Sequence, residues 1–198
     1  LVIEFKAQDA SSAEFRLALE SLRGTDIREE LIVEEIAAPP NLATNAIAFS
    51  ASIAAPAVED VSTDLGTGRF VLLWEPQEQE GWASRFRVIC FAKSPLETNI
   101  GADESISDVS WAWLTEALEN RSADYTAEAG TTTRIISSGY GALAAQSDHA
   151  ELEMRASWSP VNIDVAAHLE AWQDLVCIMS GYPHLPAGVS KFTMRARP

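Results

Sequence analysis

Four arginines stand in stretches whose alternation reads as β-strand: Arg85 and Arg87 in WASRFRVICFAK, Arg134 in TTTRIIS and Arg155 in ELEMRASWSP. A guanidinium is a rigid fork of donors that grips a carboxylate or phosphate through two bonds at once, and it stays charged throughout the physiological pH range. By strand parity Arg85, Arg87 and Arg155 point away from the apolar side, while Ile135 and Ile136 compete to set the side of Arg134. Gathered on one sheet face, the four make an anion site for a phosphorylated or carboxylated metabolite. Dispersed, they become cross-strand partners of glutamates such as Glu151 and Glu153, and the abundance of acidic residues favours that arrangement.

Other chemistry is sparse. The chain carries no GxSxG, P-loop, GxGxxG or HExxH pattern. SSGYG is its nearest approach to a glycine-rich loop, but it lies between two strands and not ahead of a helix, so it reads as a turn. His149, His168 and His184 share no spacing that builds a ligand set, and His168 with Asp164 reads as a helix-surface pair. Cys90 and Cys177 lie far apart in apolar runs and read as reduced core thiols. No catalytic residue, metal site or cofactor is expected. The adjacent carboxylates Glu34-Glu35, Glu59-Asp60 and Asp103-Glu104 read as solvated faces and loops.

The net charge is −15, and residues 1–130 hold 23 acidic against 9 basic residues while the remainder holds 6 against 5. Such a field repels nucleic-acid backbones and anionic lipid surfaces. A local basic patch can still hold a small anion against it. No apolar run reaches the roughly 20 residues that a spanning helix requires, and no charged-then-apolar leader precedes the first element. A cytoplasmic protein is the expectation.

The elements that must position the arginines follow from periodicity. SSAEFRLALESLRG specifies a helix, with capping-box spacing at Ser11 and Glu14, a stripe of Phe15, Ala18, Leu19 and Leu22, and Gly24 at its end. Strands are expected at 30–36 and 45–53, then a polar loop from Pro56 to Gly68. The nearly continuous apolar run RFVLLWE reads as a central strand covered on both faces, hairpinned through a turn at 76–81 to WASRFRVICFAK, where Trp82, Phe86, Val88 and Cys90 point inward. A second helix begins near Ser107 or Asp108, with Ser110, Trp113, Leu114, Ala117 and Leu118 along one stripe. Strands at 131–137 and 151–160 precede a third helix bearing Val165, Leu169, Trp172, Leu175, Val176 and Met179.

The order α-β-β-β-β-α-β-β-α predicts an α+β fold: a mainly antiparallel twisted sheet of five or six strands with helices on one face, in a single domain with tails at 1–10 and 185–198. Trp113, Trp158 and Trp172 fall on apolar stripes and read as core. Trp111 lies about 160° from Trp113 on a helical wheel, so it is the candidate for an interface.

The runs VSWAWLTEALENRSADYTAEAGTTTRIISSGYG, ELEMRASWSP and HLEAWQDLVCIMSGYPHLPAGV, with EFRLALESLR and GRFVLLWEP ahead of them, closely resemble an actinobacterial family known as a domain of unknown function, the one numbered three thousand. The resemblance runs from Glu14 to about Val189. It implies a cytosolic single-domain protein and carries no activity, cofactor or catalytic residue. Two function classes remain: a non-catalytic binding or protein-interaction module that self-associates and engages a protein partner through its sheet face or the Trp111 region, and a small-molecule site or enzyme built on the arginines.

Overall fold

Ser12 opens the first helix. Its backbone is extended and its hydroxyl accepts the Phe15 amide at 3.4 Å, so the cap lies one residue past the expected Ser11. A computed structural model describes residues 3, 12–54, 65–144 and 148–183, and Ser11 lies outside them. Helix α1 (Ala13–Leu22) buries Phe15, Ala18, Leu19 and Leu22, and Gly24 turns the chain away at φ 87°. Strands β1 (Leu31–Ile36), β2 (Asn45–Ile53), β3 (Thr67–Gln79) and β4 (Ser84–Leu96) follow. Helices α2 (Thr98–Ala102) and α3 (Ile106–Asn120), strands β5 (Tyr125–Ser137) and β6 (His149–Pro160), and helix α4 (Ala166–Met179) complete the order. A short 3-10 turn at Gly141–Leu143 lies between the last two strands.

The six strands form one antiparallel sheet in the order β1-β2-β3-β4-β6-β5. The α+β class and element order are as expected, with α2 as an addition. Along β6 the even-numbered residues Leu152, Met154, Ala156 and Trp158 are all buried in the main core with Phe86, Val88 and Cys90 of β4. Helix α4 lies close against this side of the sheet because β3 presents Gly68 there. A Cβ on Gly68 would stand 2.5 Å from the Val176 side chain and 3.0 Å from the Trp172 ring. The Trp172 indole donates to the Phe91 carbonyl at 3.2 Å and tilts against Phe70, with ring centroids 5.7 Å apart.

Three expectations change. The hairpin of β3 and β4 is longer than the alternation suggests, running through Pro76 to a turn at 80–83, with a register shift between Trp74 and Gln79. Trp82 therefore leaves the inward set and joins a smaller cluster on the other face, packed against Ala48, Val71 and Leu73. Strand β5 begins six residues before TTTRIIS, because β6 offers it a partner along that whole length. The expected loop Pro56–Gly68 falls mostly outside the described residues, as do both tails apart from Ile3, which is buried and donates its amide to the Thr25 carbonyl. Among the described residues no helix is long and apolar enough to cross a membrane.

Candidate functional site

The sheet separates the four expected arginines. Arg134 stands opposite Leu152 in the β5–β6 ladder and Arg155 opposite Thr131, so their positions face opposite sides of the sheet. Arg134 donates to the Asp103 carbonyl at 3.1 Å. Arg85, just beyond the Trp74–Phe86 pair, reaches Glu14 of α1 at 2.6 Å, and the other Glu14 oxygen accepts the Trp74 indole N–H at 2.9 Å. Glu14 thus fastens α1 to the hairpin instead of closing a capping box.

Arg87 keeps its expected side but is 8% exposed. Its guanidinium fills the bulge where β5 slips between Thr126 and Ala129, donating to the Ala127 carbonyl at 2.7 Å and to the Ser157 and Ser159 hydroxyls at 2.7 and 3.2 Å. Ala127 takes φ 53° there, a left-handed conformation stabilised by the arginine's bond to its carbonyl. Burial lowers the Arg87 pKa from its usual value. Arg155 remains exposed, paired with Glu153 on its own strand at 2.6 and 2.7 Å, with its guanidinium carbon 5.3 Å from the centre of the Phe91 ring.

Arg155 also belongs to a row that crosses the sheet. Register places Glu34, Ser50, Arg69, Phe91, Arg155 and Thr131 side by side on six strands, all on the face away from α4. Arg69 and Arg155 thus flank the Phe91 ring from positions two strand spacings apart, roughly 10 Å. The row runs across a cleft of about 740 Å³. Val71 and Ile89 line it on one side of the row, and Pro39 and Leu42 from the β1–β2 connection form a wall above. Among the described residues neither the Arg69 nor the Glu34 side chain has a hydrogen-bond or ion-pair partner.

Arg69 escaped the sequence reading because GRFVLLWE looks covered on both sides. Parity was the available signal, since Phe70, Leu72 and Trp74 on the helix side place Arg69 with Val71 and Leu73 on the other. The small cluster covers Val71 and Leu73, and its cover stops at Arg69, which is exposed.

The cleft offers two cations, one carboxylate, hydroxyls and apolar walls. The Cys90 thiol belongs to the opposite, buried side, and burial pushes its pKa far above the usual range. Among the described residues no histidine lines the cleft to serve Ser50, Ser52 or Thr67 as a base. Among the described residues no group of three or more His, Cys, Asp or Glu side chains is placed to hold a metal ion. Groups of this kind can hold an anion with an apolar body.

The remaining polar groups of note are structural. Asp174 on α4 accepts from Arg28 at 3.0 Å and from Arg121, at the end of α3, at 2.6 and 3.1 Å, while Arg121 also reaches Glu170. Bonding to Asp174 is the main cause of the raised Arg121 pKa. His168 is buried, contrary to the surface pair expected with Asp164. Its Nδ1 accepts the Trp158 indole N–H at 3.0 Å, and burial lowers its pKa to about 4. His149 is exposed at the start of β6, and His184 lies outside the described residues.

Trp111 and Trp113 are both half-buried against the core. The two rings fit because α3 runs beside β5, where Gly130 leaves room for the Trp111 ring: a Cβ on Gly130 would lie 2.6 Å from its Cζ3.

No curated protein and no solved structure matches the chain significantly. The family described as "Protein of unknown function (DUF3000)" matches residues 11–190, nearly the whole length, and the chain belongs to that family.

Proposed function

We propose that this is a non-catalytic binding protein whose open sheet face takes a small carboxylated or phosphorylated ligand with an apolar or planar body. The observation that carries the reading is the Arg69–Phe91–Arg155 row inside a cleft, with the Arg69 charge unpaired among the described residues. Arg69 supplies an unpaired fork for the anion and Arg155, braced by Glu153, a second cation beside it, while the Phe91 ring and the Val71–Ile89 floor give contact area and Glu34 at the far end of the row selects for a donor or positive group there. The chain's strongly negative field keeps large polyanions away and leaves the local cation pair for small ones. We place the protein in the cytosol, where its buried free thiols Cys90 and Cys177 stay reduced.

The test is thermal-shift screening against nucleotides, sugar phosphates and aromatic carboxylates, followed by calorimetry. A ligand present at 100 times its dissociation constant stabilises by roughly 2.7 kcal/mol. Arg69→Gln and Arg155→Gln should each weaken a hit at least tenfold. Hits whose affinity ignores both substitutions would sink the proposal, as would a panel that stabilises nothing.

A further inference from the structure

The sheet's two edges are built differently. Strand β1 is six residues long and carries Glu34 and Glu35, and short charged edges resist pairing with other chains. Strand β5 is thirteen residues long, holds no proline or lysine, and has only two charges, Glu128 and Arg134. Its bulge is confined to the stretch between Thr126 and Ala129, so Ala129–Ser137 runs in unbroken register with β6. Among the described residues, the only hydrogen bond to the β5 main chain beyond the strand ladder is the one the Arg87 side chain of β4 makes to the Ala127 carbonyl. Its outer row of N–H and C=O groups is, among the described residues, otherwise open. In a chain of net charge −15, this edge is locally neutral.

We propose that β5 pairs antiparallel with β5 of a second copy about a two-fold axis at Thr131, joining two sheets into one of twelve strands. The occupant follows from charge complementarity. With Thr131 opposite itself, Glu128 of each copy stands opposite Arg134 of the other, so both charges of the strand meet opposites, twice. Moving the axis to Thr133 leaves both charges without opposites, and moving it to Arg134 sets like charges together.

Two further features suit this register. The Trp111 ring lies over Gly130, one residue from the axis, so two half-buried tryptophans flank the junction where such rings contribute most. The axis also stands perpendicular to the sheet, so both helix layers lie on one side and both clefts open on the other. The two Arg155 rows become collinear, with the Arg155 positions three strand spacings apart, about 14 Å.

Sedimentation equilibrium of the full chain, combined with cysteine cross-linking, tests the pairing. Directly opposed residues on antiparallel strands have Cα atoms about 4.5–5.5 Å apart, within disulfide range. Both native cysteines are buried. Thr131→Cys, at an exposed position, should therefore give a covalent dimer under mild oxidation, whereas Ile136→Cys, which would face Thr126, should not. Arg134→Glu should raise the dimer dissociation constant at least tenfold, and Glu128→Arg combined with Arg134→Glu should restore it, with circular dichroism confirming the fold of each variant. A chain that is monomeric up to millimolar concentration overturns the proposal, including one whose edge captures an extended peptide instead. So does a dimer that is insensitive to Arg134→Glu, or one that cross-links as readily through Ile136→Cys. Cleft binding in a monomer would leave the ligand proposal standing while this one failed.

Discussion

The two sides of the sheet treat polar groups in opposite ways. Toward the helices, Asp174 is held by two arginines, His168 by the Trp158 indole and Glu14 by Trp74 and Arg85, each bonded where burial makes an unmet group costly. On the open side, Arg69 and Glu34 stand in a cleft with no partner among the described residues. Bonds closed inside the molecule hold the fold together. Groups left open in a concave, partly apolar setting are available to a ligand.

The sharpest way to break this contrast is Asp174→Ala, which removes the carboxylate that Arg28 and Arg121 share, leaving them Glu30 and Glu170, in a clamp where the Arg28 and Asp174 side chains are each only 12% exposed. Removing one partner of a buried ion pair costs about 3–5 kcal/mol, to be read from urea unfolding. A loss under 1 kcal/mol would place the clamp among weak surface pairs.

Acid should act nearly as strongly through His168. Its folded pKa of about 4 lies below the ordinary 6.5, so between these values the unfolded chain binds a proton that the folded chain refuses. The His168 contribution is therefore fully present above about pH 6.5 and is lost progressively as pH falls toward 4, amounting to about 3 kcal/mol. Unfolding curves at pH 7.5 and 4.5 should show a steeper loss for the wild type than for His168→Gln. Equal slopes would mean that His168 is not held neutral.

Arg87→Met sharpens the comparison because Arg87 is on the open side yet bonded like a core group. Removing its guanidinium leaves the Ala127 carbonyl and two serine hydroxyls unmet, a loss of about 1–3 kcal/mol. If that destabilisation appears in the midpoint of chemical unfolding, cover rather than side decides which role a polar group plays. The smallest effect on stability belongs to Arg69→Gln. An exposed cation with no protein partner should shift stability by less than about 0.5 kcal/mol while the same substitution removes ligand affinity. A large destabilisation would make Arg69 structural and weaken the case for the cleft.

Much of the fold was legible because periodicity is a local property. The even residues of ELEMRASWSP are buried, Phe15, Ala18, Leu19 and Leu22 line one side of α1, and the order of elements follows from where the period changes between 2 and 3.6. The N-terminal half of β5 was illegible because YTAEAG carries little strand propensity of its own and is extended by pairing with β6. Trp82 shares its parity with Phe86 in the sequence, but the turn before Ser84 breaks the alternation and sends the ring to the other cluster.

The candidate site was half legible, and the division has a physical origin. Sequence by itself determined which side of its strand Arg155 occupies, since alternating side chains are a consequence of the extended backbone. Whether that side held a salt bridge or a cleft depended on which residues of five other strands stood beside it. That is a matter of register, set by how the apolar sets of neighbouring strands align and by the bulges that shift them. Tertiary structure alone placed Arg134 on the far side, closed the bulge of β5 over Arg87, and put Arg69 across the Phe91 ring from Arg155.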